Sequence, residues 1–215
     1  HTLTLLRFTY KKLKEKLTVS DSKKLFHEQF PFVIPGLYKR IVDEMLVELN
    51  LLNHQNEFNL EYLFCIGLTE TFEELMKGYK PEKHLDLLFE SLCKSTNFVA
   101  QNIKETAKKS KKEFKDKSSK DILNSLREKN NNKLYPSKIL NLGIYTLISN
   151  SKDMQEKNES EMNKVIFDIF EKLNLSVNKA EKDISIYKSS ITKMKQAKEL
   201  TEELKVSNKK KGGKD

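Results

Sequence analysis

Residues 60–76, LEYLFCIGLTETFEELM, form the most apolar segment of this 215-residue chain. Over residues 60–68 only Glu61 and Gly67 interrupt the apolar side chains. A helix that is apolar on nearly every side is buried at the centre of a protein. The segment therefore predicts a central helix that ends near Gly78 and contributes four core side chains: Cys65, Ile66, Leu68 and Phe72.

Helical spacing continues on both sides of this segment. Residues 37–53 carry apolar side chains in the i, i+3, i+4, i+7 pattern of a core-facing helix, and further helical stripes occur at 85–92, 98–107, 139–148 and 162–173. No segment alternates at the period of two that is typical of strands. The chain has only 6 Gly and 4 Pro, so we predict an all-α fold, a multi-helix bundle.

The C-terminal segment has the most regular pattern. Apolar residues recur at steps of three or four from Val177 to Leu204, close to the 3.5-residue repeat of a coiled coil. This pattern predicts one long helix over 174–206, which either packs along the bundle or projects as a coiled-coil arm. The full predicted organisation is a leader or non-native extension (1–17), a helical bundle domain (18–173), the long helix (174–206) and a disordered basic tail (207–215).

The charge is unevenly distributed along the chain. The net charge is +9, yet residues 41–92 carry a net charge of −8, whereas residues 104–120 and 182–215 each carry +5. Such asymmetry suits oriented docking on a charged partner or on an anionic membrane. The alternative is that the charges only solubilise helix faces or pair within the molecule.

Two groups of charged residues are the candidate interaction sites. The first, which we call the acidic face, lies on the polar side of the predicted 37–53 helix and is a candidate for protein recognition: Arg40, Asp43, Glu44 and Glu48. The second, which we call the lysine strip, is a candidate membrane-facing surface: Lys108, Lys109, Lys111, Lys112 and Lys115. We also expect Arg40 and Glu44 to form an i, i+4 ion pair.

The sequence argues against nucleic-acid binding and against catalysis. Bidentate readout of guanine uses Arg, but 37 of the 40 basic residues are Lys and 3 are Arg. The four His have no metal-ligand spacing, and no phosphate-binding or nucleophile motif is present. Cys65 and Cys93 lie in apolar helical segments, so we expect reduced core thiols. We therefore predict no catalytic, metal or cofactor site.

Several segments together resemble the thylakoid formation protein family, whose members are also described as photosystem II biogenesis factors. The resemblance covers about 18–206 and is weakest at 104–134, which is rich in Lys and Asn. It is strongest in TVSDSKKLF (18–26), YKRIVDEMLVELNLL (38–52), GLTETFEELMKGYKPE (67–82) and LFESLC (88–93), and it continues in YPSKILNLGIYTLIS (135–149) and DISIYKSSITKMKQAKELTEEL (183–204).

The resemblance implies an all-helical, non-enzymatic protein of oxygenic phototrophs. Such a protein acts in thylakoid membrane biogenesis and in photosystem II assembly and repair, in association with membrane-bound FtsH protease complexes. The implied location is the cytoplasmic side of the thylakoid membrane. The Lys- and Asn-rich composition favours a cyanobacterial member over a plastid one. The alternative function is a peripheral lipid-surface protein that organises thylakoid membranes directly.

Overall fold

The computed structural model describes residues 17–55, 61–130 and 134–211. Within these ranges the protein has nine α-helices, two 3-10 helices and no β-strand, which confirms the all-α prediction. The α-helices are α1 (Val19–Gln29), α2 (Gly36–Asn53), α3 (Tyr62–Leu75), α4 (Leu85–Lys94), α5 (Ala100–Phe114), α6 (Ser119–Asn130), α7 (Lys138–Ser149), α8 (Glu159–Lys172) and α9 (Val177–Lys211). The 3-10 helices are Glu82–His84 and Lys152–Met154.

The described residues form two compact units. The first comprises residues 17–55 and 86–100, and the second comprises 61–85 and 101–211. The sequence predicts a helical bundle domain over 18–173, and this division stays a prediction. A hydrophobic stripe shows that a face is buried but not which helix covers it. Residues 1–16 of the predicted leader lie outside the described residues.

A capping box fixes the start of α1 in the first unit. The Thr18 hydroxyl accepts a hydrogen bond from the Asp21 N–H at 3.1 Å, and the Asp21 carboxylate accepts one from the Thr18 N–H at 3.0 Å. The N-cap is therefore Thr18, whose partner Asp21 lies three residues later. The buried amide of Asn50 on α2 donates to the Leu17 carbonyl and to the Ser22 hydroxyl, each at 2.8 Å, and so ties α1 to α2.

The second unit is built around a very close crossing of α3 and α7. A Cβ atom added at Gly67 of α3 would lie 2.0 Å from the carbonyl oxygen of Ile139. A Cβ atom added at Gly143 of α7 would lie 2.0 Å from the carbonyl oxygen of Leu63. Both distances are far shorter than a van der Waals contact, so the two backbones touch only because both positions are glycine.

The predicted core residues of α3 are buried. Cys65, Ile66 and Leu68 are fully buried and Phe72 is 6% exposed, which confirms the central position of this helix. Burial raises the pKa of the Cys65 thiol to about 12. Cys65 and Cys93 are both buried and neither forms a disulfide bond, as the sequence predicts. Beyond the end of α3, Gly78 has φ +81°, a left-handed conformation that glycine adopts readily.

The long helix α9 packs within the second unit along its N-terminal part. It contacts α3, α7 and α8, and its apolar seam is buried at Ala180, Ile184, Tyr187 and Met194. Asp183, also buried, accepts a hydrogen bond from the Asn141 amide of α7 at 2.8 Å. Further along the helix, Leu200 is 60% exposed. The buried seam shows that residues 180–194 of this helix pack within the second unit.

The end of α9 lies beyond the end predicted at residue 206. The helix continues to Lys211. No Gly or Pro lies between residues 174 and 211 to end it earlier, and lysines are favoured in the last turn of a helix. Residues 212–215 of the predicted disordered tail lie outside the described residues.

Candidate interaction surfaces

The acidic face lies on the outer side of α2, as predicted. Arg40 and Glu44 form the expected ion pair, with 2.8 Å between Nε and Oε1, and their side chains are 85% and 54% exposed. Asp43 is nearer to the core and pairs with Lys39 at 3.2 Å and with Lys23 of α1 at 3.9 Å. Glu48 is half-buried.

The basic neighbours cancel the net negative charge of the acidic face, because with Lys23 and Lys39 three cations stand against its three carboxylates. Lys23 and Lys39 were not among the predicted site residues, because the pattern of α2 alone does not show that α1 brings Lys23 close to Asp43. Exposed ion pairs of this kind contribute only about 0.2–1 kcal/mol each. They can therefore open at little cost when a charged partner approaches, and the face remains a candidate for protein recognition.

The lysine strip lies on the solvent side of α5. Ile103, Ala107, Ser110 and Phe114 form the buried stripe of this helix, and all five lysines of the strip are exposed. Lys111 forms an ion pair with Glu70 of α3. Phe114 stacks on Tyr62 with ring centroids 5.9 Å apart, and Lys129 Nζ lies 5.4 Å from each of the two ring centroids. These contacts hold α5 in place and keep the lysines facing outward.

Part of the lysine strip lines a groove in the second unit. It has a volume of about 780 Å³, and four lysines line it: Lys111, Lys112, Lys115 and Lys152. We call it the basic groove. Lys108 and Lys109 are not among its lining residues. The sequence pattern missed Lys152, because it joins the groove only through the tertiary packing of the second 3-10 helix beside the end of α5.

Hydrogen bonds hold the two walls of the basic groove together. The Lys152 N–H donates to the Lys117 carbonyl at 3.1 Å. The carboxylate of Asp153 accepts from the Ser119 N–H at 2.7 Å and from the Ser119 hydroxyl at 2.6 Å, and it also accepts from the Ser151 hydroxyl at 3.0 Å. Asp153 thus caps the N-terminus of α6 from a distant part of the chain, where a negative charge is favourable.

Asp153 gives this capping interaction a defined pH dependence. Burial raises the pKa of Asp153, but the hydrogen bonds from Ser119 and Ser151 outweigh burial, so its pKa lies below the usual value. The stabilisation is therefore fully present above the unfolded-state pKa of about 3.9 and is lost as the pH falls through the lower folded-state pKa.

We expect Asp153→Ala to melt at a lower temperature than the unchanged protein at pH 7, because the N–H and the hydroxyl of Ser119 at the start of α6 lose their acceptor. The difference in melting temperature should narrow as the pH falls below about 4. Thermal unfolding of both proteins, followed by circular dichroism at several pH values, measures this. A difference that stays constant down to pH 2 would contradict a role for the ionised carboxylate.

Two further observations bear on the kind of protein this is. In the ranges that the structure describes, no group of three or more His, Cys, Asp or Glu side chains could hold a metal ion. None of the helices in those ranges combines the length and the apolar character needed to cross a membrane.

Comparison with known proteins identifies relatives along nearly the whole chain. A sequence model described as the thylakoid formation protein matches residues 18–215. Protein Thf1 of Prochlorococcus marinus (strain MIT 9312) is 76% identical over 199 residues, which cover 93% of this chain and 99% of the relative. Protein Thf1 of Synechococcus sp. (strain CC9605) is 36% identical over 198 residues, which cover 90% and 91% of the two chains.

The fold also has a solved counterpart. A structure of Psb29 superposes with a TM-score of 0.81 at 26% sequence identity, over 92% of this chain and 100% of that chain. The match of the family model to residues 18–215 and the cyanobacterial relatives lead to the same conclusion as the structure: the chain belongs to the thylakoid formation protein family.

Proposed function

We propose that this protein is a non-enzymatic factor in thylakoid membrane biogenesis and in photosystem II assembly and repair. In this proposal it acts on the cytoplasmic side of the thylakoid membrane of a cyanobacterium as a partner of FtsH protease complexes. The observation that carries the proposal is membership of the thylakoid formation protein family over residues 18–215. The buried, high-pKa thiol of Cys65 supports a non-catalytic role, because a nucleophile must ionise and reach its substrate.

The acidic face is the proposed contact with the protein partner. Its carboxylates would be repelled by anionic lipid, whereas a basic protein surface would attract them. Arg40 and Glu44 are well exposed, so both can be redirected toward a partner without disturbing the core. Charged side chains at such positions set the orientation and the association rate of a complex more than its total affinity.

We expect the triple substitution Asp43→Lys, Glu44→Lys and Glu48→Lys to weaken capture of FtsH from detergent-solubilised thylakoid membranes by several fold. Helicity should remain nearly unchanged, because none of the three carboxylates is buried and all lie on the polar side of α2. A matched control reverses three exposed acids of the second unit, Glu128, Glu171 and Glu181, and should retain capture. Equal capture by both folded variants would exclude the acidic face as the contact.

The lysine strip supports a second candidate function, a protein that binds and organises the lipid surface directly. All five of its lysines are exposed, and each well-placed lysine contributes about 1 kcal/mol near an anionic membrane. Such a protein would bind vesicles without FtsH. Nucleic acid is not a partner in either proposal.

We expect the protein to bind anionic vesicles at low salt and to release them as the salt concentration rises. The reason is that exposed charges are screened over a Debye length of about 10 Å at 0.1 M salt and about 3 Å at 1 M. Co-sedimentation with anionic and with neutral vesicles over a NaCl series measures this. Binding that is equally strong at high salt, or equally strong to neutral vesicles, would contradict an electrostatic role for the lysines.

A further inference from the structure

We propose that the basic groove is a binding site for a phosphate-bearing ligand. This inference goes beyond the proposed function, since it concerns one small-ligand site and holds whether or not the acidic face binds FtsH. The groove volume of about 780 Å³ falls within the roughly 300–1,000 Å³ that is typical of small-molecule sites.

The positive charge of the groove favours an anionic ligand. Four lysines line it against one carboxylate, Asp116. Lys111 is partly neutralised by Glu70. Within the described part of the chain, the other three lysines (Lys112, Lys115 and Lys152) form no ion pair. Three lysines without an ion-pair partner on one concave surface favour a ligand with more than one negative oxygen.

Uncharged donors in the groove fit the same ligand. Asn150 and Gln155 also line it, and the side chain of each carries an amide that can donate two hydrogen bonds. A phosphate group presents several strong acceptor oxygens and no apolar surface. Lysine ammonium groups and amide donors together can satisfy these oxygens. A carboxylate has only two oxygens and would use fewer of these donors.

The walls of the groove are fixed before any ligand arrives. The Lys152 N–H to Lys117 carbonyl bond and the Asp153 to Ser119 bonds join the second 3-10 helix to the segment between α5 and α6. The Ser151 hydroxyl also donates to the Ile148 carbonyl at the end of α7, at 2.7 Å. A ligand therefore does not have to order the backbone around it, and this preorganisation favours binding.

A pair of double variants separates the groove from the general positive charge of the protein. The groove variant is Lys112→Gln with Lys152→Gln, which removes one ammonium group from each wall. The control is Lys164→Gln with Lys179→Gln, two exposed lysines of α8 and α9 that line neither the groove nor the lysine strip. Both variants lose two charges at exposed positions, so circular dichroism and melting temperature should match those of the unchanged protein.

Binding is measured at constant ionic strength with two probes, soluble glycerol 1-phosphate by calorimetry and phosphatidylglycerol vesicles by co-sedimentation. We expect the groove variant to weaken binding at least about tenfold, equivalent to about 1.4 kcal/mol, and the control to change it less than about twofold. Loss with both probes assigns the site to phosphate groups in general, and loss with vesicles alone assigns it to a lipid headgroup. Absence of binding by the unchanged protein, or equal loss in both variants, would overturn the proposal.

Discussion

Replacing Gly67 with alanine is expected to lower the free energy of unfolding by about 3 kcal/mol, the upper part of the range for overpacked cores. The added Cβ would lie 2.0 Å from the Ile139 carbonyl oxygen and 2.9 Å from the Gly143 nitrogen. Both are backbone atoms, so α3 and α7 must move apart to accommodate the methyl group. This cost exceeds the gain of about 1 kcal/mol that alanine gives over glycine within a helix. Urea denaturation followed by circular dichroism measures the loss.

Gly36 provides the matched control for this substitution. It is the first residue of α2, and a Cβ added there would have no atom within 4 Å. Gly36→Ala should therefore be neutral or slightly stabilising. Gly143→Ala should cost about as much as Gly67→Ala, and the double variant less than the sum, because one separation of the helices relieves both clashes. Equal stability of the Gly36 and Gly67 variants would contradict the close crossing.

Phe72→Ala should lower the free energy of unfolding by about 3–5 kcal/mol, because removal of a buried ring leaves a cavity. Phe72 lies on α3 and is 6% exposed, so little water contacts its ring in the folded protein. The corresponding fall in melting temperature is on the order of 10 °C for a chain of this size. Differential scanning calorimetry measures it.

Leu200→Ala is the comparison for the Phe72 substitution. Leu200 is an apolar side chain on a helix, but it is 60% exposed, so truncation should change stability by less than about 0.5 kcal/mol. An unchanged melting temperature for Phe72→Ala would place α3 near the surface and would contradict its central position in the fold.

The local features of the fold were predictable from the sequence, because each depends on residues a few positions apart. The stripe of 37–53 predicts α2, which spans Gly36–Asn53, and the run at 60–68 predicts the buried helix α3. The i, i+4 spacing of Arg40 and Glu44 predicts their ion pair. The start of α1 also depends on residues only three positions apart, because Thr18 and Asp21 form its capping box.

Features that depend on distant residues were not predictable in this way. In the sequence Gly67 is only an interruption of an apolar run, and nothing in its surroundings indicates that Gly143 lies opposite. The sequence identifies the lysine strip as exposed. It does not show which of these lysines line the basic groove, because the groove also requires Lys152, which lies on the second 3-10 helix. The ion pair between Lys23 and Asp43 likewise requires the packing of α1 on α2.

The central claim is that this protein binds an FtsH protease complex directly. The measurement is equilibrium binding between the purified full chain and a purified FtsH complex in detergent, without thylakoid lipid, by fluorescence anisotropy. We predict saturable binding that weakens with rising salt and that the triple reversal of the acidic face reduces. Absence of binding by the folded chain, together with retained binding to anionic vesicles, would contradict the claim and favour the lipid-surface function.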